Sequence, residues 1–420
     1  MKVLIKKAHI ISSGSPFHGQ VKDILIVDGT IEKIAENIAE NAEEIIVNDR
    51  LHVSIGWMDV FAHFTDPGFE HKEIIQTGAA AAAAGGFTDV MILPNSLPTV
   101  SSKAQVEYVI QKASELPVRI YPIASITRNT EGKELAEMYD MHSSGAIAFS
   151  DGVQSVQDPG VLLKALQYVL AVDAVIIQVP DDKSISVHGL MNEGIVSTRM
   201  GLTGKPAMAE ELMIARDIEL LKYTHSKLHI TGVTTRKGIE LIEKAKLAGL
   251  RLTASVTPYH AFFCDEHMED YDTNLKVNPP LRSREDMMAV RASISDGTID
   301  CLASHHIPQH WDDKTCEFEY AKNGMIGLES LFGVVNQFAT DLTNLISKLT
   351  IVPRAIFNIE LPQIKEGAAA CLTLFDPEEE YVFSVEMIRS KSHNSPFIGK
   401  LLKGKVIGII NKNKIVINPS

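Results

Sequence analysis

The sequence predicts an α/β protein: a (β/α)8 barrel of the TIM type with a small β-sandwich domain formed from both termini. Three observations carry this expectation. Eight apolar, β-type runs recur at intervals through the middle of the 420-residue chain. Segments with helical hydrophobic spacing separate those runs, the pattern of buried parallel strands in βαβ units. Both ends instead read as short strands joined by tight turns. The expected division is 1–52 with 366–420 for the β domain and 53–365 for the barrel, and the length suits one barrel plus a small domain.

At the N-terminus, Val3–Ile5 and His9–Ile11 are apolar, and Ile24–Ile31 sets Asp28-Gly29 between two apolar runs, a strong hairpin signal. At the far end, Lys405–Ile410 and Ile415–Ile417 flank Asn411–Asn413 in the same strand–turn–strand manner. The eight expected barrel strands are Val53–Val60, Thr88–Leu93, Val118–Ile123, Ala146–Ser150, Ala174–Gln178, Lys227–Thr231, Arg251–Val256 and Ile299–Ser304. Helical spacing appears in Val161–Leu170, Glu210–Leu221, Gly238–Ala248 and Arg284–Ile294. Ala79–Ala84, closed by Gly85-Gly86, reads as a helix whose small-residue face lies close on the sheet. The acidic run Asp376–Glu380 is expected in a solvated loop.

Composition narrows the function classes. The chain is 45% hydrophobic and 22% charged, as in ordinary globular proteins, and its formal charge of −13 argues against a nucleic-acid partner. Cys264, Cys301, Cys316 and Cys371 show no paired spacing, so they read as reduced thiols, and a cytoplasmic location is expected. No signal peptide and no apolar run long enough for a membrane span is evident. Phosphate loops, nucleophile elbows and dinucleotide fingerprints are missing from the contexts that would make them meaningful.

Barrels of this kind place their chemistry at the C-terminal ends of the strands. The first such end reads Asp59-Val60-Phe61-Ala62-His63-Phe64. Residues two apart on a strand share a face, so an H-x-H here would aim two imidazoles at one metal. Position 61 is Phe, which leaves His63 alone, and a lone strand-end His reads first as structural. Near the eighth strand, His305, His306 and His310 form a local cluster that reads as a polar barrel rim.

Several motifs then agree in order along the chain. The run Gly56-Trp57-Met58-Asp59-Val60-Phe61-Ala62-His63-Phe64-Thr65-Asp66-Pro67-Gly68 resembles the dihydroorotase signature, which in that family reads D-x-H-x-H-x-R-x-P-G. Leu93-Pro94-Asn95-Ser96, Phe149-Ser150-Asp151, Asn192-Glu193-Gly194, Thr257-Pro258-Tyr259-His260, Lys276-Val277-Asn278-Pro279-Pro280 and Gly324-Met325-Ile326-Gly327-Leu328-Glu329 follow in the family's order. The resemblance spans essentially the whole chain and independently implies the amidohydrolase barrel.

Dihydroorotases interconvert N-carbamoyl-aspartate and dihydroorotate in pyrimidine biosynthesis. The resemblance implies one or two zinc ions activating a water, with a carboxylate moving the proton. Carried over position by position, the first strand's two His fall at Phe61 and His63, and the acidic bridging position at Asp151. The fifth-strand His falls at Gln178, the sixth-strand His at Gly232 and the eighth-strand Asp at His305. The substrate-clamping Arg falls at Thr65 and a later pocket His at Gln309, while Asn95 and Asn278 keep the recognition pattern.

The expected site is therefore degenerate: lost ligand positions at Phe61, Gln178, Gly232 and His305, vestigial ligands at His63 and Asp151, and His305 as the remaining candidate catalytic base or third ligand. No cofactor is expected. The favoured function is a catalytically silent dihydroorotase-like subunit, since some relatives with lost ligands assemble with aspartate carbamoyltransferase. The alternative is an active dihydroorotase using one zinc held by His63, Asp151 and His305. A third reading is a repurposed cyclic amidohydrolase. The resemblance also implies a homo-oligomer.

Overall fold

The computed structural model describes residues 1–419, and it contains two large sheets. The first is an eight-stranded parallel barrel sheet. Its strands, in spatial and chain order, are Trp57–Ala62, Phe87–Ile92, Arg119–Ala124, Ala148–Phe149, Val175–Gln178, Leu228–Thr231, Leu252–Val256 and Cys301–Leu302. A parallel bridge between Ala62 and His306 joins the last strand to the first. Asp59 reinforces that seam: its carboxylate accepts from the Ser304 backbone N–H at 2.6 Å and from Ser304 Oγ at 2.8 Å.

Each expected barrel run yields a strand, with one correction. Val53–Val60 is two strands, not one. His52–Ile55 belongs to the terminal sheet, pairing with Lys2–Ile10 and Cys371–Val382, whereas Trp57–Ala62 opens the barrel. Gly56 separates them, and a Cβ there would lie 2.1 Å from Thr88 Oγ1, so the chain passes from sheet to sheet where no side chain fits. The terminal sheet thus reaches Ile55, beyond the expected limit at 52.

That second sheet runs in the order Lys414–Ile417, Leu401–Asn411, Cys371–Val382, His52–Ile55, Lys2–Ile10, Val21–Val27 and Thr30–Ala35. The Asp28-Gly29 hairpin forms as expected, with φ of 47° and 76° at the two turn residues. The sheet curls far enough for Thr30 to bridge Ala369, and Ile5, Ile26, Val53, Leu372 and Ile410 pack in the fold so enclosed.

The acidic run lies in a strand and not in the expected loop, with Glu378 and Glu380 solvated as expected and Asp376 buried. Asp376 lies inside the strand Cys371–Val382 and is 1% exposed, because Arg50 and the backbone N–H groups of Glu378 and Glu379 all donate to its carboxylate. A register shift between Asp376 and Glu380 accommodates the charged stretch.

Helices cover the barrel. Ile75–Ala84 buries Ala79 and Ala81–Ala84, as its small-residue face predicts. Pro159–Tyr168, Met208–Thr224, Arg236–Leu247 and Arg284–Asp296 realise the other expected helices. All four cysteines are free thiols. No helix among the described residues is long and apolar enough to cross a membrane.

Candidate functional site

The C-terminal ends of the barrel strands surround a cavity of about 380 Å³. Phe61, His63, Lys205, Asn278, His305 and Gln309 are among its walls. Phe61 lies on the first strand and His63 just past its end, and Phe61 also packs with Met58 and Val60 in the barrel interior.

One side of the mouth is made of rings. Phe61 and His305 stack with centroids 4.3 Å apart and planes inclined by 28°. His305 is 1% exposed and sits at φ 42°, a backbone region that suits glycine better than histidine. Its Nε2 meets Thr231 Oγ1 at 2.8 Å, while its Nδ1 is buried without a partner among the described residues. Burial, with the neighbouring His260 and His229, holds the imidazole well below its ordinary pKa, so it is neutral. Beneath it lies Gly232 at φ 71°, where a Cβ would come 2.8 Å from His305 Cε1. The His305 ring thus fills the space a side chain at 232 would need.

A hydroxyl–imidazole chain continues from this ring into the barrel. Ser255 Oγ donates to Thr231 Oγ1 at 2.8 Å, His229 Nε2 lies 3.0 Å from Ser255 Oγ, and His229 Nδ1 lies 2.9 Å from Thr253 Oγ1. Alternation along two adjacent strands puts all four residues inside.

His63 donates from Nε2 to the Asn95 carbonyl at 3.1 Å, and burial pushes its pKa down to about 4. Asp151 is 1% exposed and turned toward the loop after the third strand. It accepts from the backbone N–H groups of Ile126 and Thr127, both at 2.9 Å, and from Thr127 Oγ1 at 2.5 Å. Burial outweighs these bonds and pushes its pKa up to about 6. Gln178, 1% exposed, accepts from the Val156 N–H at 3.3 Å and donates to Asp217 at 3.4 Å.

The positions expected to bind substrate divide. Asn95 spends its amide on one loop, donating to the Asp151 carbonyl and accepting from the Val153 N–H. Thr65 donates to the carbonyls of Phe69 and Glu73, stapling the loop after the first strand. Neither lines the cavity. Asn278 and Gln309 do. Gln309 accepts from Lys72 Nζ at 2.7 Å and donates to the Asn323 carbonyl at 2.7 Å.

Asn278 belongs to a group that sequence reasoning missed. Lys205 Nζ lies 2.8 Å from Asp181 Oδ2 and 2.5 Å from Asn278 Oδ1, and Asn278 Nδ2 donates to Asp181 at 3.2 Å. Both charged side chains are 8% exposed. Their only sequence signal is that Asp181 and Lys205 each adjoin a proline, which marks a loop and says nothing of a partner. Behind them Arg282 donates to Asn192 Oδ1, the Lys205 carbonyl and Thr234 Oγ1, with Glu210 at 3.6 Å.

The expected rim cluster does not form. His306 is 0% exposed and turns to Glu73 at 3.3 Å, while His310 caps a short helix at Trp311–Asp313. Among the described residues, no three His, Cys, Asp or Glu side chains are grouped so that they could hold a metal ion.

Comparison with known proteins gives a consistent result. Residues 50–238 match the family model described as Dihydro-orotase-like. The dihydroorotase of Syntrophus aciditrophicus is 39% identical over 99% of both chains, and that of Pelotomaculum thermopropionicum 41% identical over 96% of both. Among solved structures, the L-hydantoinase (dihydropyrimidinase) of Arthrobacter aurescens has the same fold, with a TM-score of 0.85 at 22% identity, covering 99% of this chain and 96% of that one.

Proposed function

The chain belongs to the dihydroorotase family, and from that premise we propose that it is a catalytically silent member serving pyrimidine biosynthesis as a structural subunit. The observation that carries this reading is the interlock of Phe61, His305 and Gly232. Three of the six positions where the family keeps metal ligands are occupied by two stacked rings and a glycine whose missing side chain gives one of them room. A zinc site needs at least three protein donors about 2.0–2.3 Å from one point. Phe61 and Gly232 offer no donor, Gln178 is tied into the wall, and Asp151 gives its carboxylate to the 126–127 backbone. His63 and His305 remain, too few by themselves. The residues present do not fit the family's metal, and no step is derived through it.

A further feature supports a retained shape. The loops around the mouth are stapled by side-chain hydrogen bonds within the protein, through Arg282, Asn95 and Thr65, so their order needs no ligand. The proposed partner is aspartate carbamoyltransferase, the enzyme before dihydroorotase in the pathway, with this chain as a homo-oligomer. Four free thiols suit a reducing, cytoplasmic setting.

The test is zinc content paired with dihydroorotate hydrolysis on the purified protein, and co-expression with aspartate carbamoyltransferase from the same source. The expected result is no turnover with or without added zinc, metal far below one ion per chain, and a stable complex. Turnover with about one zinc per chain, abolished by His63→Ala, would overturn the silent reading in favour of a mononuclear enzyme. Failure to co-purify would remove the proposed partner.

A further inference from the structure

The opposite end of the barrel holds a second cavity, of about 400 Å³, between the N-terminal ends of the strands and the terminal sheet. Arg119, the first residue of the third barrel strand, lies in its wall. Its Nε approaches Asp89 Oδ1 at 2.8 Å, and the other oxygen of that carboxylate is held by Arg354 at 2.5 Å. Asp89 and Arg354 are 0% and 1% exposed, and Arg119 is 37% exposed. Two guanidiniums therefore share one carboxylate, which leaves a unit of positive charge whose solvent-facing end is Arg119. Only the Arg119 end reaches the cavity, where its Nη2 has, among the described residues, the long contact to Cys371 Sγ at 3.9 Å.

Two more cations line the same space. Lys365 and Lys412 have no carboxylate partner among the described residues, and Glu360 is the single acidic residue in the wall. This local excess stands out in a chain of net charge −13. Leu361, Pro362 and Ala368–Ala370 make a small and apolar part of the wall, and Gln363 and Asn411 add amides. A bare phosphate would fill only a small part of such a volume.

We propose that this cavity binds a phosphate monoester of a small polar molecule, its dianionic phosphate held by Arg119, Lys365 and Lys412 and its organic body by the Leu361–Pro362 wall. A planar guanidinium flanked by two mobile ammonium groups suits a dianion with three acceptor oxygens. The site lies at the floor, away from the mouth, so it is independent of any conclusion about the metal positions.

The test is calorimetric titration at low ionic strength with glucose 6-phosphate, inorganic phosphate and glucose. The expected result is one saturable site per chain for the ester, tighter than for inorganic phosphate, and none for glucose. Lys365→Ala/Lys412→Ala weakens the ester at least tenfold. Gln363→Glu, which adds a carboxylate to the wall without touching the Asp89 network, weakens it by a similar factor. The control Lys103→Ala/Lys244→Ala removes the same charge from exposed helix positions and changes binding less than twofold. Absence of saturable binding, equal loss in the control pair, or indifference to Gln363→Glu overturns the proposal. Equal affinity for inorganic phosphate overturns the ester.

Discussion

The two sides of the barrel mouth are built on opposite principles. On one, Phe61 and His305 meet as stacked rings over Gly232, and the His305 Nδ1 has no partner among the described residues. On the other, Arg282, Asn192, Asp265, Lys205, Asp181 and Asn278 answer one another in an unbroken set of charged and amide bonds. The ring side holds by shape, so its residues can change identity if volume is kept. The polar side holds by pairing, so removing one member strands the others.

The sharpest way to break that comparison is to cut the polar side at its centre. Arg282 is 3% exposed and Glu210 is 1% exposed, so Arg282→Met takes the compensating charge from a buried carboxylate that keeps its Thr234 and Thr235 donors, and strands Asn192 Oδ1 and the Lys205 carbonyl. The expected cost is about 3–5 kcal/mol in urea unfolding, the range for breaking a buried pair from one side. Phe61→Leu on the ring side should cost only about 1 kcal/mol, since most of the volume survives. Equal costs would refute the division.

The division also bears on what could be read from sequence. The barrel was legible because its apolar runs fall at even spacing, and seven of the eight expected runs became single strands of the barrel. Val53–Val60 misled because a continuous apolar run carries no mark of a change of sheet, and Gly56 is meaningful only beside Thr88. In Asp376–Glu380 the expected exposure fails at Asp376, where Arg50 supplies the missing charge from 326 residues away, and holds at Glu378 and Glu380. At the mouth, motif order located His63, Asp151 and His305. It could not show that Asp151 turns to the 126–127 backbone, or that Lys205 reaches Asp181 across 24 residues. Such pairings are made by three-dimensional proximity alone.

Acid should weaken the imidazoles packed around the ring side. Burial pushes His229 and His260 down to about 3, while the unfolded chain titrates them near 6.5. Between those values the unfolded state binds more protons, so stability present at neutral pH is lost as pH falls. From pH 6.5 to 5 each contributes a loss of about 2 kcal/mol, at 1.36 kcal/mol per pH unit. Asp151 and Asp217, both pushed up to about 6 by burial, act in the opposite sense, because the folded chain takes up their protons first and regains stability below pH 6. The net slope is therefore shallower than the histidines alone would give. Urea unfolding of wild type and His260→Gln at pH 7 and pH 5 isolates one term: the variant should lose about 2 kcal/mol less between the two. An unchanged difference would mean that His260 is protonated in the fold.

The smallest expected effect is the most specific to the ring side. Gly232→Ala meets two obstacles, a φ of 71° and a Cβ 2.8 Å from His305 Cε1. The backbone penalty alone is about 1 kcal/mol, and the contact adds to it only while the ring is present. In His305→Ala the contact is gone but the φ remains, so Gly232→Ala should cost roughly 0.5–1 kcal/mol less in that background. The coupling reads the interlock directly, because neither residue touches the polar side of the mouth. Strict additivity would mean that the His305 ring moves aside freely. In that case position 232 could accept a side chain, and the argument against a ligand at that position would lose its steric part.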